Sequence, residues 1–230
     1  MIKTVAFLPI RKGSKSIPLK NFKLMAGKPL FAWVADEIVA TKKIDMLVIS
    51  TDYPDIKKTY PKLFSSPKVM IFDRSPESAT DTASTESAMF DFLDKTDIKF
   101  DEFILVQATI PFSVSLDFDK AIKKFRSSKA DSLLTLVAQK KFFWEKKRNP
   151  EFVVPINYDP QHRPRRQEID FQYFENGAFY ISTKKALLKS RCRISGKITY
   201  YVMESKALDI DEPDDWVLAE KLLLERDSRK

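Results

Sequence analysis

The stretch from residue 3 to residue 30, KTVAFLPIRKGSKSIPLKNFKLMAGKPL, constrains the fold of this chain more than any other part of it. It starts with a short, continuous apolar run at residues 5–8, which is typical of a strand buried on both faces of a parallel sheet. A cationic loop follows, and an apolar helical period resumes over residues 31–40. A strand, a loop and a helix in this order predict the first unit of an open α/β sheet.

The loop after this strand combines four cations with small residues: Arg11, Lys12, Gly13, Ser14, Lys15 and Lys20. Open α/β sheets bind ligands at the carboxyl ends of their strands, where backbone N–H groups and fixed cations suit phosphate. A solvated basic loop is the alternative. Glycine is scarce, with 4 in 230 residues, and two of the four lie in residues 3–30, which favours a phosphate site. The loop matches neither GxGxxG nor the Walker sequence.

The remaining pattern extends the same architecture. Further buried-strand candidates lie at residues 46–50, 68–72, 103–106, 131–137, 178–181 and 199–203. Helical patterns lie around residues 88–93, 118–125 and 216–226. The order predicts a three-layer, Rossmann-like α/β fold with a mostly parallel sheet, and the length favours one domain over residues 1–230.

Residues 140–170 differ from the rest of the chain. They contain Phe142, Phe143, Trp144, a basic group and the prolines 150, 155, 160 and 164. No helical period fits, and the prolines restrict the segment to edge strands, turns and extended pieces, so we predict an excursion from the core. A surface loop is the alternative. His162 is conceivable as a base or metal ligand, but a lone His among Arg and Pro is more often neither.

Composition limits the class of protein. No apolar run approaches the roughly 18 residues of a membrane span, and no secretory signal is visible, so we expect no membrane partner. The single cysteine, Cys192, excludes an internal disulfide, and we expect a cytoplasmic protein. The net charge of +8 suggests nucleic acid, but acidic and basic residues are mixed along the chain, which argues against that partner.

An acidic pair precedes the final helical pattern. Asp209 and Asp211 flank Ile210, so on an extended chain both carboxylates lie on one side. Two carboxylates are what Mg²⁺ requires of a protein when phosphates and waters complete its octahedron. The alternative is a helix cap, and we assign that role to the acids after Asp211, with Pro213 at the helix start.

Four segments together resemble the CMP-sialic acid synthetases (acylneuraminate cytidylyltransferases). These are RKGSKSIPLKN followed by MAGKPL, the turn QATIP at residues 107–111, RRQ at residues 165–167, and the DID pair. Lys12, Ala108 and Ile110 depart from the residues usual in that family. The resemblance spans nearly the whole chain. It implies a nucleotidyltransferase fold in which residues 140–170 form a small hairpin that dimerises and lends residues to the neighbouring subunit's site.

The resemblance also implies site residues. Those that contact the nucleotide are Arg11, Ser14, Lys15, Lys20, Asn21, Arg74 and Ser84. Those that contact the sugar acid are Gln107, Arg166 and Gln167. The catalytic set is Arg11, Lys15, Lys20, Asp209 and Asp211, with Mg²⁺ on the two aspartates. For Ser84, capping of the following helix is an alternative role.

The implied activity is transfer from CTP to a nine-carbon 2-keto acid: sialic acid, its deaminated analogue or another nonulosonate. An enzyme for an eight-carbon (Kdo-type) acid or for another sugar is one alternative. A non-enzymatic protein that binds nucleic acid or nucleotide is a second, and an inactive homologue is a third.

Overall fold

The fold is that of a computed structural model that describes residues 2–148, 151–204 and 208–228. Its strands are β1 (Thr4–Pro9), β2 (Leu24–Met25), β3 (Lys28–Pro29), β4 (Met46–Thr51), β5 (Val69–Asp73), β6 (Glu102–Val106), β7 (Ser132–Gln139), β8 (Trp144–Lys146), β9 (Val153–Pro155), β10 (Gln172–Thr183) and β11 (Ile198–Val202). Its helices are α1 (Leu30–Ala40), α2 (Ile56–Thr59), α3 (Pro61–Phe64), α4 (Thr85–Lys95), α5 (Ser115–Ser128), α6 (Lys184–Ser190) and α7 (Pro213–Asp227). Pro150 of the predicted excursion lies outside the described residues.

Within the described residues, seven strands form one sheet in the order β11-β7-β10-β6-β1-β4-β5. Strand β10 runs antiparallel to β6 and β7, and the other pairings in this sheet are parallel. The mostly parallel α/β fold predicted from the sequence is confirmed. Because β1, β4, β5 and β6 are parallel, their carboxyl ends meet at one edge of the sheet, where the polar loops follow.

The two faces of the sheet carry separate cores, as alternation along β1 shows. Ala6 and Leu8 are fully buried against α1 and α5, whereas Val5 and Phe7 are fully buried against α4 and α6. Both residue sets are apolar because helices cover both faces, which explains the continuous apolar run. The layers are therefore helix, sheet and helix.

Strand β10 differs from its prediction. The sequence suggests a strand at residues 178–181, entered by a turn at Asn176 and Gly177. In the structure β10 begins at Gln172, and those two residues lie inside it, where the register shifts between Glu175 and Tyr180. Gly177 has φ +73°, a value that glycine adopts without strain, so the irregularity is a bulge.

The predicted excursion at residues 140–170 contains a two-stranded antiparallel ribbon, β8 with β9, separate from the main sheet. Its side chains are largely exposed, including Trp144 at 46% and Phe152 at 60%. Tyr158 stacks edge-on against Phe142 at a ring distance of 4.6 Å. Within the described residues, none of the helices combines the length and the apolar character that a membrane crossing requires.

Candidate active site

A cavity of about 460 Å³ opens at the carboxyl edge of the sheet. It lies between the loop after β1, the segment joining β5 to α4, and the turn after β6. Its polar and charged lining comprises Arg11, Ser14, Lys15, Ser16, Lys20, Asn21, Arg74, Asp81, Thr85, Gln107, Thr109 and Asp211. Four cations thus face one opening at the place where open α/β sheets bind ligands.

The loop after β1 is held by hydrogen bonds from its neighbours. The backbone N–H of Lys12 donates to Asp52 Oδ1 at 2.6 Å, and Asn21 Nδ2 donates to the carbonyl of Arg11 at 3.1 Å. Asp52 comes from the end of β4, next to β1 in the sheet. Asn21 is buried, so its amide serves as an internal brace while the residue also borders the cavity.

Two guanidinium groups define one side of the cavity. Arg11 donates from Nη1 to Asp81 Oδ1. The backbone N–H of Arg74 donates to the carbonyl of Thr51 at 2.9 Å, which fixes Arg74 beside β4. Burial lowers the pKa of the Arg74 guanidinium, and the nearby Arg11 charge lowers it further, while Asp52 and Asp91 act in the opposite direction. Two neighbouring cations that repel each other in this way favour the binding of an anionic ligand.

Lys20 connects this loop to the DID segment, 190 residues away. Its Nζ donates to the carbonyl of Ile210 at 2.6 Å and lies 3.3 Å from Asp211 Oδ1. Ile210 in turn donates its N–H to the carbonyl of Thr109 at 3.0 Å, and its side chain is fully buried with Trp216 and Met25. Packing of α7 against the β2–β3 turn therefore places the acidic pair next to the loop after β1 that contains Arg11, Lys15 and Lys20, which we call the cation loop.

The acidic pair has the alternation that the sequence predicts: Asp209 and Asp211 each keep exposed surface, whereas Ile210 is fully buried. Partial burial raises the pKa of the Asp209 carboxyl, and Asp211 raises it further, whereas the Thr109 hydroxyl and Lys20 lower it. Among the described residues, no group of three or more His, Cys, Asp or Glu side chains is placed to hold a metal. Asp211 lines the cationic cavity and Asp209 lies beside it, and such a pair of carboxylates fits Mg²⁺ if phosphates supply further ligands.

The acids after Asp211 cap helix α7. Glu212 is the N-cap and Pro213 opens the helix. Asp215 Oδ2 accepts hydrogen bonds from the N–H groups of Glu212 at 2.8 Å and Asp211 at 3.1 Å. The cap therefore fixes the backbone at Asp211 and leaves the Asp211 side chain facing the cavity.

Four predicted site residues lie away from the cavity lining. Asp209 is one of them, although Asp211 is part of that lining. Ser84 is the N-cap of α4, where its hydroxyl accepts from the N–H of Ser87 at 3.1 Å. Arg166 borders a different cavity, of about 470 Å³, together with Lys140 and Arg163. Gln167 is exposed, and its carbonyl accepts from Lys140 Nζ at 2.7 Å. A single chain therefore brings together Gln107 and the cation loop, but not Arg166 and Gln167.

Sequence reasoning assigned no ligand role to Asp81, Thr85 and Thr109, all of which line the cavity. Asp81 and Thr85 lie among residues that can cap a helix, and Thr109 lies in a turn. A local structural role therefore accounts for each of these residues in the sequence without any ligand. The signal that could have singled them out is their position after strands whose carboxyl ends share one edge.

The family model described as "Cytidylyltransferase" matches residues 5–228. N-acylneuraminate cytidylyltransferase of Oncorhynchus mykiss is 35% identical over 222 residues, covering 95% of this chain and 50% of that protein. CMP-N,N'-diacetyllegionaminic acid synthase of Legionella pneumophila is 28% identical over 234 residues, covering 96% of this chain and 97% of that protein. The chain thus spans about half the length of the trout protein and nearly all of the Legionella protein.

Solved structures share the fold. A CMP:2-keto-3-deoxy-manno-octonic acid synthetase complexed with CTP aligns with a TM-score of 0.69 at 16% identity, over 97% of this chain and 99% of the other. The 4-diphosphocytidyl-2C-methyl-D-erythritol synthase of Anaerococcus prevotii aligns with a TM-score of 0.67 at 15% identity, over 97% and 96%. These two structures show the fold alone, whereas the family model matched over residues 5–228 shows that the chain belongs to the cytidylyltransferase family.

Proposed function

We propose that this chain transfers a cytidylyl group from CTP to a nine-carbon 2-keto sugar acid and releases pyrophosphate. The observation that carries the proposal is the convergence of Arg11, Lys15, Lys20 and Arg74 on one cavity that also presents Asp211. Such a cavity matches a triphosphate with a divalent cation. Family membership supports cytidine as the nucleoside, and the names of the trout and Legionella relatives support a nonulosonic acid as the acceptor.

In the proposed reaction, the anomeric hydroxyl oxygen of the acid attacks the α-phosphorus of CTP. A new P–O bond forms, the bond from the α-phosphorus to the bridging oxygen breaks, pyrophosphate leaves with that electron pair, and the hydroxyl proton passes to solvent. Negative charge grows on the phosphoryl and leaving oxygens. Catalysis therefore consists mainly of positioning and electrostatic stabilisation, the work that fixed cations can do.

The nucleotide would be held by the residues around the cation loop. Arg11, Lys15 and Lys20 would bind the triphosphate and stabilise pyrophosphate as it leaves, with Arg74 on the facing segment. Ser14 and Asn21 would donate hydrogen bonds to phosphate or cytosine. The hydroxyl of Ser84 can donate its proton while it accepts from Ser87, so a nucleotide contact is compatible with its capping role.

Asp209 and Asp211 would hold Mg²⁺, with triphosphate oxygens and waters as its other ligands. Bound Mg²⁺ would neutralise phosphate charge and make the α-phosphorus more electrophilic. Lys20 contributes from the protein side, since its contacts with the Ile210 carbonyl and Asp211 keep the acidic pair beside the triphosphate.

We further propose a homodimer in which residues 140–170 of one subunit lend Arg166 and Gln167 to the sugar-acid site of the other, next to Gln107. Two observations support this. Arg166 lies outside the main cavity of its own chain, and the ribbon exposes aromatic side chains beside arginines, a composition that suits interfaces. We place the reaction in the cytoplasm, where the exposed thiol of Cys192 would stay reduced.

The proposal is tested by pyrophosphate release with each of the four NTPs and Mg²⁺, against a panel of acids. The panel contains N-acetylneuraminate, its deaminated analogue, N,N'-diacetyllegionaminate and the eight-carbon acid. We expect release with CTP and a nine-carbon acid. Release with the eight-carbon acid alone would favour the second candidate, which the shared fold with the octonic acid synthetase suggests. No release with any acid of the panel from folded protein would refute the proposal, and steeply salt-dependent binding of nucleic acid in that case would favour a non-enzymatic binding protein.

A further inference from the structure

The guanidinium of Arg74 is held by a backbone turn. Its Nε donates to Ser78 Oγ at 3.3 Å, and its Nη2 donates to the carbonyl of Ser78. Among the described residues, no carboxylate lies within ion-pair distance of Arg74, although the side chain lines the main cavity and a neighbouring one of about 660 Å³. The position of this cation therefore depends on how firmly the turn around Ser78 is fixed.

Asp91, on helix α4, fixes that turn from behind. Its Oδ2 accepts from the backbone N–H of Ser75 at 2.8 Å and from Ser78 Oγ at 3.0 Å. Ser78 is itself buried, with 2% of its surface exposed. Asp91 Oδ2 thus accepts one hydrogen bond from each end of the turn, Ser75 and Ser78. Ser78 is also the residue that accepts the hydrogen bonds of the Arg74 guanidinium.

The Asp91 side chain is only 7% exposed, an environment in which a carboxylate without partners is costly. Burial alone would raise its pKa, but hydrogen bonds from Lys95, Ser75 and Ser78 outweigh it and leave the pKa below its ordinary value. The carboxylate is therefore charged near neutral pH, and its hydrogen bonds to the turn are charge-assisted.

We propose that Asp91 is a positioning residue of the nucleotide site: it anchors the turn at Ser75 and Ser78 and thereby holds the guanidinium of Arg74 at the cavity. The inference rests on the proposed function, because it assigns Arg74 a role in binding CTP. Asp91 does not line the cavity. Its hydrogen bonds reach Arg74 through the turn, and its charge also acts on the Arg74 guanidinium at longer range.

Variants of Asp91 separate this role from general stability. Asp91→Ala removes both hydrogen bonds to the turn. Asp91→Asn keeps a carbonyl oxygen that can accept both of them, so it serves as the conservative variant. Lys95→Ala is the matched control, because it removes the ion pair on Asp91 Oδ1 and deletes neither of the hydrogen bonds that Asp91 Oδ2 accepts from the turn. The probe is CTP, with dissociation constants measured by equilibrium dialysis without the sugar acid.

We expect Asp91→Ala to weaken CTP binding about tenfold, the scale of one charge-assisted hydrogen bond, and Asp91→Asn and Lys95→Ala to stay within about threefold of wild type. In a double-mutant cycle, Asp91→Ala should cost nothing further once Arg74→Ala is present. Fully additive losses would overturn the proposal, since Asp91 would then act independently of Arg74.

Amide hydrogen exchange tests the anchor without any assumption about function. Asp91→Ala should speed exchange over residues 75–84 in the ligand-free protein, and Lys95→Ala should not. Unchanged exchange over this segment in Asp91→Ala would refute the anchor. If wild-type protein neither binds CTP nor releases pyrophosphate, the proposed function and with it the role of Asp91 in nucleotide binding fail, while the exchange result still decides whether Asp91 holds the turn.

Discussion

Lys20 allows a structural role to be measured separately from a role in binding. Its ammonium group contacts the DID segment, and the residue also lines the cavity. Its side chain is 13% exposed, and its Nζ donates to the Ile210 carbonyl at 2.6 Å. Lys15 faces the same cavity from an exposed position. We therefore compare Lys20→Ala with Lys15→Ala, two variants that each remove one positive charge from the cavity, of which only Lys20→Ala removes the contact with the DID segment.

The expected magnitude follows from these contacts. A hydrogen bond from a charged donor to a carbonyl contributes about 1.5–3 kcal/mol. The pair with Asp211 adds less than about 1 kcal/mol, because Asp211 is 69% exposed and solvent screens it. Lys20→Ala should therefore lower the free energy of unfolding by about 2 kcal/mol, which corresponds to a Tm lower by about 4–8 °C for a chain of this size. Lys15→Ala should leave Tm within about 1 °C of wild type, as expected for an exposed substitution.

Both variants should weaken CTP binding by about 10- to 100-fold, because each deletes a charged phosphate contact. Thermal unfolding followed by circular dichroism gives the Tm values, and equilibrium dialysis with CTP gives the affinities. An equal Tm for the two variants would refute the energetic role of the Lys20–Ile210 contact. Wild-type CTP affinity in both would refute the assignment of the cation loop to the triphosphate.

Three further predictions test the metal site, the dimer and the ion pair of the core. Asp211→Asn should abolish Mg²⁺-dependent pyrophosphate release and keep the fold, whereas Asp214→Asn, an exposed change in the first turn of α7, should retain activity; equal activity of the two would remove the metal assignment. Mixing inactive Arg166→Ala and Asp211→Asn proteins after dissociation and reassociation should restore about a quarter of wild-type activity, since half the dimers are mixed and each has one intact site; no restoration would contradict a shared site. For Glu102, burial alone would raise the pKa, but hydrogen bonds from Arg126 and Thr4 leave the pKa below its ordinary value. Its stabilising contribution is therefore present above the unfolded-state pKa and is lost as pH falls through the lower folded-state pKa. The loss of unfolding free energy caused by Glu102→Gln, measured by urea unfolding, should shrink below about pH 5, and a loss that stays constant with pH would contradict this.

Local patterns predicted much of the fold. The run VAFL is apolar on both sides because helices cover both faces of the sheet, so β1 and its neighbours could be placed to within one or two residues. The bulge at Gly177 escaped prediction because glycine marks turns and bulges alike, and only the pairing of β10 with β7 distinguishes them. The helix at Ser115–Ser128 is longer at both ends than its apolar period, since its ends are solvent-facing.

The candidate site likewise contains parts that local sequence patterns predict and parts that they do not. The cation loop and the DID pair could be named from the sequence because each has its own local pattern, and the structure brings them to one cavity. The contact that joins them, Lys20 to the Ile210 carbonyl, spans 190 residues and leaves no local trace. Asp91 was equally invisible, since an acid on an amphipathic helix is ordinarily a solvated one. Arg166 depends on residues of another subunit in our proposal, which no pattern in one chain can display.

Formation of the CMP-linked product tests most directly whether this cavity joins CTP to a nine-carbon 2-keto acid. The most direct measurement is the mass of the product that the wild-type protein forms from CTP, Mg²⁺ and an equimolar mixture of N-acetylneuraminate, N,N'-diacetyllegionaminate and the eight-carbon acid. We expect a CMP-linked nine-carbon acid, with one pyrophosphate released per product and no product when Mg²⁺ is removed by a chelator. A CMP-linked eight-carbon acid as the sole product, or no acid-linked product from folded protein, would contradict it.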